Sequence, residues 1–307
     1  MDLEEISAYC HEITKQYLAI PKEQSRIIAE TQESIRITKK YIMEEIFSKW
    51  NPFNGEISFS YNGGKDCQVL LLIYLSCIWE HYDLGKCTLQ DETFPLQKLP
   101  TVYIASEETF STLEDFIVMT TERYNLSICK CKLDKTKNIS MANSFEIFLE
   151  EHPVTKAVLL GVRHSDPFGN TLKAIQKTDL NWPEFMRLQP LLHWKLAHIW
   201  SFLLYSNESI CGLYGIGFTS IGGVSETVPN PYLLKGECSA SNSTFQWEIK
   251  NSYGSENNKN EHGKDVNITV VSEQDLAVLN QVGTHHEPGW FMIDDQLERA
   301  GRIKKSS

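Results

Sequence analysis

A strand-like stretch, Glu56-Ile57-Ser58-Phe59-Ser60, runs into Tyr61-Asn62-Gly63-Gly64-Lys65-Asp66-Cys67 and then into an apolar segment patterned as a helix. Two adjacent glycines let a backbone turn tightly and bring its N–H groups close to a ligand. The helix N-terminus behind them carries a partial positive charge, so phosphate is the natural occupant of such a turn. Ser60, Tyr61, Asn62, Gly63, Gly64 and Lys65 are therefore candidate phosphate contacts, with Lys65 adding a point charge. Asp66, in the first helical turn, suits the helix dipole and is a candidate ligand for Mg²⁺ beside the phosphates. Neither G-x-x-x-x-G-K-[ST] nor G-x-G-x-x-G occurs here, which excludes a Walker loop and a dinucleotide fingerprint.

A second constellation, Gly161-Val162-Arg163-His164-Ser165-Asp166-Pro167, leaves the end of an apolar strand at 157–162. A cation, an imidazole and a carboxylate within four residues suit an anionic, metal-assisted site. Asp166 joins Asp66 as a candidate Mg²⁺ ligand, directly or through water. A third, from Asn181 to Trp194, sets Trp182, Phe185 and Arg187 close together in a Pro-broken loop, where they can stack a flat ring and grip a charge. At the C-terminus, residues 298–307 carry Arg299, Arg302, Lys304 and Lys305 against one acid, Glu298. Arg299 and Arg302 fall on one face of a helical turn, and their guanidinium forks match phosphate oxygens. This polar end is expected to be mobile until a ligand orders it.

The elements that must position these residues follow from periodicity. Leu3, Ile6, Cys10, Ile13, Tyr17 and Ile20 mark an amphipathic helix stopped by Pro21, and a second is expected from about Lys22 to Lys49. From Gly55 strands and helices alternate: strands at 56–60, 101–105, 126–133 and 157–162, helices at 65–79, 111–124 and 141–151, with one more helix at 196–205. Such succession predicts an α/β fold, a Rossmann-like, mostly parallel sheet with helices on both faces, N-terminal helices and a C-terminal extension. The expected division is N-terminal helices in 1–50, a nucleotide-binding core in 51–235 and an extension in 236–307, all within one compact domain. The polar stretch 239–266 reads as surface loop or partial disorder, with Phe245–Ile249 a candidate strand inside it.

The 307 residues are 41% apolar and 22% charged, ordinary globular usage, with a formal net charge of −11. That charge excludes a broad nucleic-acid or anionic-membrane surface, since both need clustered Lys and Arg, but one pocket for a small anion needs only a few local cations. No run is long enough to span a bilayer, and the acidic start Met1-Asp2-Leu3-Glu4-Glu5 lacks the features of a signal peptide. Eight cysteines without paired CxxC spacing read as free thiols, which points to the cytoplasm.

The glycine string resembles the pyrophosphate-binding PP-loop of ATP pyrophosphatases and sulfonucleotide reductases. Arg187-x-x-Pro190-Leu191-x-x-Trp194 and Gly217-Phe218-Thr219-Ser220-Ile221-Gly222 are similar to stretches of the reductases. The departures exclude reductase chemistry: Phe185-Met186 stands where those enzymes carry a Cys pair, Gly223 where a Cys follows S-I-G, and Ser239-Ala240-Ser241 after Glu237-Cys238. The strings Tyr61 to Cys67, Gly161 to Pro167, Phe185-Met186-Arg187-Leu188-Gln189-Pro190 and Leu297-Glu298-Arg299-Ala300-Gly301-Arg302 together resemble the eukaryotic, fungal-type FAD synthetase family. The chain matches the single-domain fungal form in length.

That resemblance implies an FMN adenylyltransferase: ATP and FMN give FAD and pyrophosphate with Mg²⁺, and flavin is substrate and product rather than redox group. The glycine turn and Gly161 then serve the ATP phosphates, with Asn62 fixing their orientation and Glu108 at the nucleotide rim. Arg163, Arg299 and Arg302 face developing charge. Asp166, Asp179, Trp182, Phe185, Arg187, Gln189 and Pro190 line the flavin site. A monomer acting on small molecules alone is expected. The alternatives are a PP-loop ATP pyrophosphatase serving another acceptor, by thiolation or sulfonucleotide chemistry, and a non-catalytic flavin-binding protein.

Overall fold

The computed structural model describes residues 1–86, 93–106, 108–132, 140–235, 266–279 and 286–303. The polar stretch 239–265, its candidate strand Phe245–Ile249, Glu237-Cys238 and the terminal Lys304 and Lys305 lie outside the described residues. The chain divides into two compact units that interleave along the sequence. The first takes residues 1–19, 32–107 and 117–194; the second takes 20–31, 108–116 and 195–307.

The first unit holds a six-stranded sheet: β1 (Ile57–Ser60), β2 (Leu99–Ala105), β3 (Leu126–Lys132), β4 (Ala157–Leu159), β5 (Ile175–Lys177) and β6 (Met186–Leu188), in the order β3-β2-β1-β4-β6-β5. All neighbours are parallel except the β5–β6 pair. The chain steps outward from β1 through β2 to β3, then returns to the other side of β1 as β4. This reversal is a topological switch point, and in open α/β sheets the crevice beyond the strand ends there is where ligands bind. The loops that follow β1 and β4 are the glycine turn and the Gly161–Pro167 loop.

Helix α3 (Lys65–Lys86) leaves the glycine turn and packs against α1 (Leu3–Ala19). Residues Val69 to Leu75 are buried on all sides, which explains a run too apolar for a surface helix. Each such Leu or Ile contributes about 1.5–3 kcal/mol by leaving water. The α1 face predicted from periodicity, Leu3, Ile6, Cys10, Ile13 and Tyr17, is buried as a stripe.

Two expectations are corrected. The single helix expected over 22–49 is a 3₁₀ turn (Lys22–Gln24), then α2 (Arg26–Lys40), then a π-helical turn (Tyr41–Ile46). Ser25 is extended, and its hydroxyl accepts the Ile27 N–H at 3.2 Å, so it caps a new start. The region read as a Pro-broken loop contains β6, paired with β4 and β5; three-residue strands carry too short a pattern to read.

In the second unit α6 (Leu196–Ser206) buries Trp200 edge-on against Tyr214, ring centroids 5.2 Å apart. Asp275 accepts from the backbone N–H of Thr112 at 2.7 Å and from its hydroxyl at 2.6 Å, satisfying the start of α4 (Ser111–Arg123) from a distant part of the chain. The C-terminal segment is anchored rather than loose. Asn230 donates to Leu297 O, Thr227 bridges Arg302, and Val228 N–H donates to Gly301 O. A side chain at Gly301 would collide with Val228 O at 2.3 Å, so the glycine permits this approach.

Candidate active site

Gly63 has φ +69°, the left-handed conformation that lets the chain turn from β1 into α3 without strain. Asn62 Oδ1 accepts the Gly64 N–H at 3.0 Å, closing the turn, and Gly64 O accepts the Gln68 N–H as α3 begins. Tyr61 is buried, its N–H bonded to Val102 O, so it anchors the strand end. Ser60 is half-buried beside it. On the neighbouring strand end, a Cβ on Gly161 would lie 2.9 Å from Cys67 Cα and N, so this glycine lets the β4 loop press against the start of α3.

Between these loops lies a compact charge cluster. Arg163 is 0% exposed; its Nε is 2.7 Å from Asp66 Oδ1, and its Nη2 is 3.9 Å from Asp166 Oδ1. Lys65, 2% exposed, places Nζ 2.9 Å from Asp66 Oδ2. Asp166 Oδ2 also accepts the Arg163 N–H at 2.9 Å, which folds the loop back on itself. Burial alone would raise the Asp66 carboxyl, but the charges of Arg163 and Lys65 outweigh it and hold it below the usual carboxylate range. Both Asp66 oxygens therefore face cations before any ligand arrives. Lys65 and Arg163, expected to serve phosphate, are here ion-paired with Asp66 and, for Arg163, Asp166.

The residues expected around a flat ring fall into a second group of the first unit. Phe185 is 3% exposed and belongs to the core cluster with Val102, Cys129, Cys131, Phe145, Phe148 and Val158. Trp182 is half-buried on that cluster, 5.8 Å from Phe145. Arg187 spans the β5–β6 hairpin, ion-paired with exposed Asp179 at 3.2 Å and donating to Lys177 O at 3.0 Å. Gln189 and Pro190 are buried: the Gln189 amide donates to Lys173 O, and Pro190 O accepts the Thr38 hydroxyl. Their side of the hairpin is a packed support.

Glu108, Arg299 and Arg302 lie in the second unit. The Arg302 guanidinium donates to Ser220 Oγ (3.0 Å), Thr227 Oγ1 (3.3 Å) and Ile221 O (2.6 Å). Its Nη1 occupies the space a Cβ on Gly222 would need, so the Ser220-Ile221-Gly222 string is shaped around this arginine. Glu108 O accepts the Val224 N–H at 3.0 Å, holding the other end of the same loop. Arg299 is exposed, and its side chain has no hydrogen bond or ion pair among the described residues. Burial, then the like charge of Arg299, weakens the hold of Arg302 on its proton, though a guanidinium stays charged. Sequence reasoning missed Cys67, Thr227 and the backing ring Phe145; Cys67 alone carried a signal, standing inside the glycine string.

A glycine turn and a charged loop flanking the switch point of a parallel sheet define a nucleotide-phosphate-binding α/β protein. Residues 56–229 accordingly match the phosphoadenosine phosphosulfate reductase domain. Over its whole length the chain is similar to narrower relatives. It is 51% identical to the flavin adenine dinucleotide synthase of Saccharomyces cerevisiae, over 99% of this chain and 100% of that protein. The Candida glabrata FMN adenylyltransferase in complex with FMN and the ATP analogue AMPCPP superposes with a TM-score of 0.84 at 51% identity, covering 98% of this chain and 100% of that one. The same enzyme with FAD and inorganic pyrophosphate gives 0.85, with equal identity and coverage. The chain belongs to the FAD synthase family.

Proposed function

We infer that the chain is an FMN adenylyltransferase, joining the AMP part of ATP to the phosphate of FMN and releasing pyrophosphate. The observation that carries this is the pair of loops at the switch point, one a positive-φ glycine turn at a helix N-terminus, the other a buried Arg–carboxylate cluster. A phosphate oxygen of FMN attacks the α-phosphorus in line, a new O–P bond forms, and the bond to the β-phosphate oxygen breaks. The attacking phosphate is already anionic and needs no general base, so catalysis is positioning and charge neutralisation.

The glycine turn holds the ATP phosphates through backbone N–H groups, with the Asn62 amide orienting them. Arg163 acts from beneath: it sets Asp66 and Asp166 rather than meeting substrate. Arg299 and Arg302 supply the positive charge, Arg299 through an exposed fork and Arg302 through the donors its partners leave. Trp182 stacks the isoalloxazine, with Phe185 and Phe145 behind it and the Arg187–Asp179 pair at its polar edge. Glu108 shapes the nucleotide rim through its backbone.

The donor set suits Mg²⁺ of the kind that takes few protein ligands and several phosphate and water oxygens. Asp166 would hold it, directly or through water. Asp66 could share it: Lys65 takes one of its oxygens by a hydrogen bond, while the other, though ion-paired with Arg163, is buried without a hydrogen-bond partner among the described residues. When bound, the ion offsets charge on the polyphosphate. The net charge of −11 favours a monomer acting on small molecules over a nucleic-acid or membrane partner. The free cysteines fit the cytoplasm, and no described helix is long and apolar enough to cross a membrane.

Incubation with ATP, Mg²⁺ and FMN tests the reading, with equal yields of FAD and pyrophosphate expected. FMN binding without pyrophosphate release would leave a flavin carrier, and pyrophosphate release only with another acceptor would leave a different PP-loop enzyme.

A further inference from the structure

Asn62 turns one side of its amide inward and the other outward. Its Oδ1 accepts the Gly64 N–H at 3.0 Å and the Cys67 thiol at 2.8 Å. A backbone N–H only donates, so the atom facing it must be the carbonyl oxygen, and the NH₂ lies on the far side. Asn62 is exposed, and its Nδ2 has no partner among the described residues. The outward face is all donor, the polarity that a phosphate group requires.

Arrival of that phosphate threatens the arrangement. The Gly64 N–H is itself one of the turn's backbone donors, and an anion seated there would draw it away from Asn62. One donor then remains to keep Oδ1 inward. Cys67 is 5% exposed, with its sulfur also 3.0 Å from Gly64 O. The thiol carries the one proton that such a bond needs. Its backbone is fixed by the close approach of Gly161.

We propose that Cys67 is a positioning residue for adenylyl transfer, its thiol holding the Asn62 oxygen inward so that the amide NH₂ stays on the ATP phosphates once Gly64 N–H is given up to them. The proposal rests on the reading of the glycine turn as the ATP-phosphate site.

The test compares Cys67→Ser, Cys67→Ala and Cys67→Val by steady-state FAD synthesis and by calorimetric titration with a methylene-bridged ATP analogue. Serine keeps a donor, whereas alanine and valine lack one while bracketing the volume. Alanine and valine should raise KM for ATP and weaken the analogue by about three- to tenfold, the span of one ordinary hydrogen bond. KM for FMN should stay within about twofold, and Cys67→Ser should match the wild type in all three readings. Wild-type analogue affinity in Cys67→Ala and Cys67→Val overturns the proposal, as does a loss in Cys67→Ser equal to that in Cys67→Ala, which would mean packing. Asn62→Ala separates the two levels. Weaker ATP binding in Asn62→Ala but not in Cys67→Ala removes the proposal alone; unchanged binding in Asn62→Ala removes the phosphate-site reading as well.

Discussion

Arg163 in the first unit and Arg302 in the second are both drawn out of water, and their surroundings solve that problem in opposite ways. Arg163 is fully enclosed and faces two carboxylates, so its charge is cancelled within the protein. Arg302 is half-buried on two hydroxyls and a carbonyl, with no carboxylate within 4 Å among the described residues. Neutral dipoles orient a guanidinium without neutralising it. The charges of Glu226 and Glu298 reach Arg302 only from further off, so its positive charge, with that of exposed Arg299, is less fully cancelled than that of Arg163 and can still meet an anion. The same residue type reads alike in a sequence, yet one is a strut beneath a site and the other retains its field.

The sharpest way to break this contrast is at Asp66. Asp66→Asn leaves Arg163 and Lys65 buried beside a neutral amide, and removing one partner of a buried ion pair costs about 3–5 kcal/mol. Loss of FAD synthesis should thus come with a large fall in melting temperature. An unchanged melt with lost turnover would return Asp66 to a role facing the ligand. Arg302→Met should behave the other way. Its partners are hydroxyls and a carbonyl, so stability should fall by about 1–3 kcal/mol, while turnover falls at least about a hundredfold, near 2.7 kcal/mol in barrier. Arg302→Lys should rescue little, because an ammonium cannot reach Ser220, Thr227 and Ile221 together. Arg299→Lys, on an unconstrained side chain, should retain most activity. Equal behaviour of the two lysine variants would erase the distinction.

Whether a residue could be read from sequence followed the range of the interaction that fixes it. The glycine turn was legible because strand, turn and helix are consecutive and each obeys a local rule, and the α1 stripe was legible for the same reason. The β5–β6 hairpin was not, since three-residue strands are defined by pairing with β4. The enclosure of Arg163 and the pinning of the tail by Thr219, Thr227 and Asn230 depend on partners up to about a hundred residues away, and no local pattern announces them. An end rich in Arg and Lys looked loose because nothing nearby in the chain could hold it.

Trp182 tests the contrast between pocket wall and core. Phe185 is wholly packed and Trp182 half so, with Phe145 behind both. Trp182→Ala should weaken FMN by roughly tenfold, about 1.4 kcal/mol, and leave ATP affinity unchanged. Equal losses for both ligands would make Trp182 another core ring.

The smallest effect is expected at Glu30, an acid in the second unit whose charges are shared near the surface. It meets Arg26 at 2.6 Å, Lys195 at 3.0 Å and His198 at 3.3 Å, and its side chain is 32% exposed. The hydrogen bond from Arg26, then that from Lys195, lowers its pKa from 4.5 to about 2. A pKa depressed in the folded state means that the contribution is complete above 4.5 and lost as pH falls towards 2. Partial exposure lets water and salt screen it, so Glu30→Gln should cost under about 1 kcal/mol at neutral pH. Denaturant melts of wild type and Glu30→Gln, taken between neutral pH and pH 3 in about 0.05 M and about 0.5 M salt, read this directly. Their difference should close as pH drops below 4.5 and shrink in the higher salt. The Asp66→Asn deficit, set by enclosed charges, should persist in both salts. A Glu30 difference that ignores salt would mean its network is as sheltered as the cluster around Arg163, and exposure would no longer separate the two.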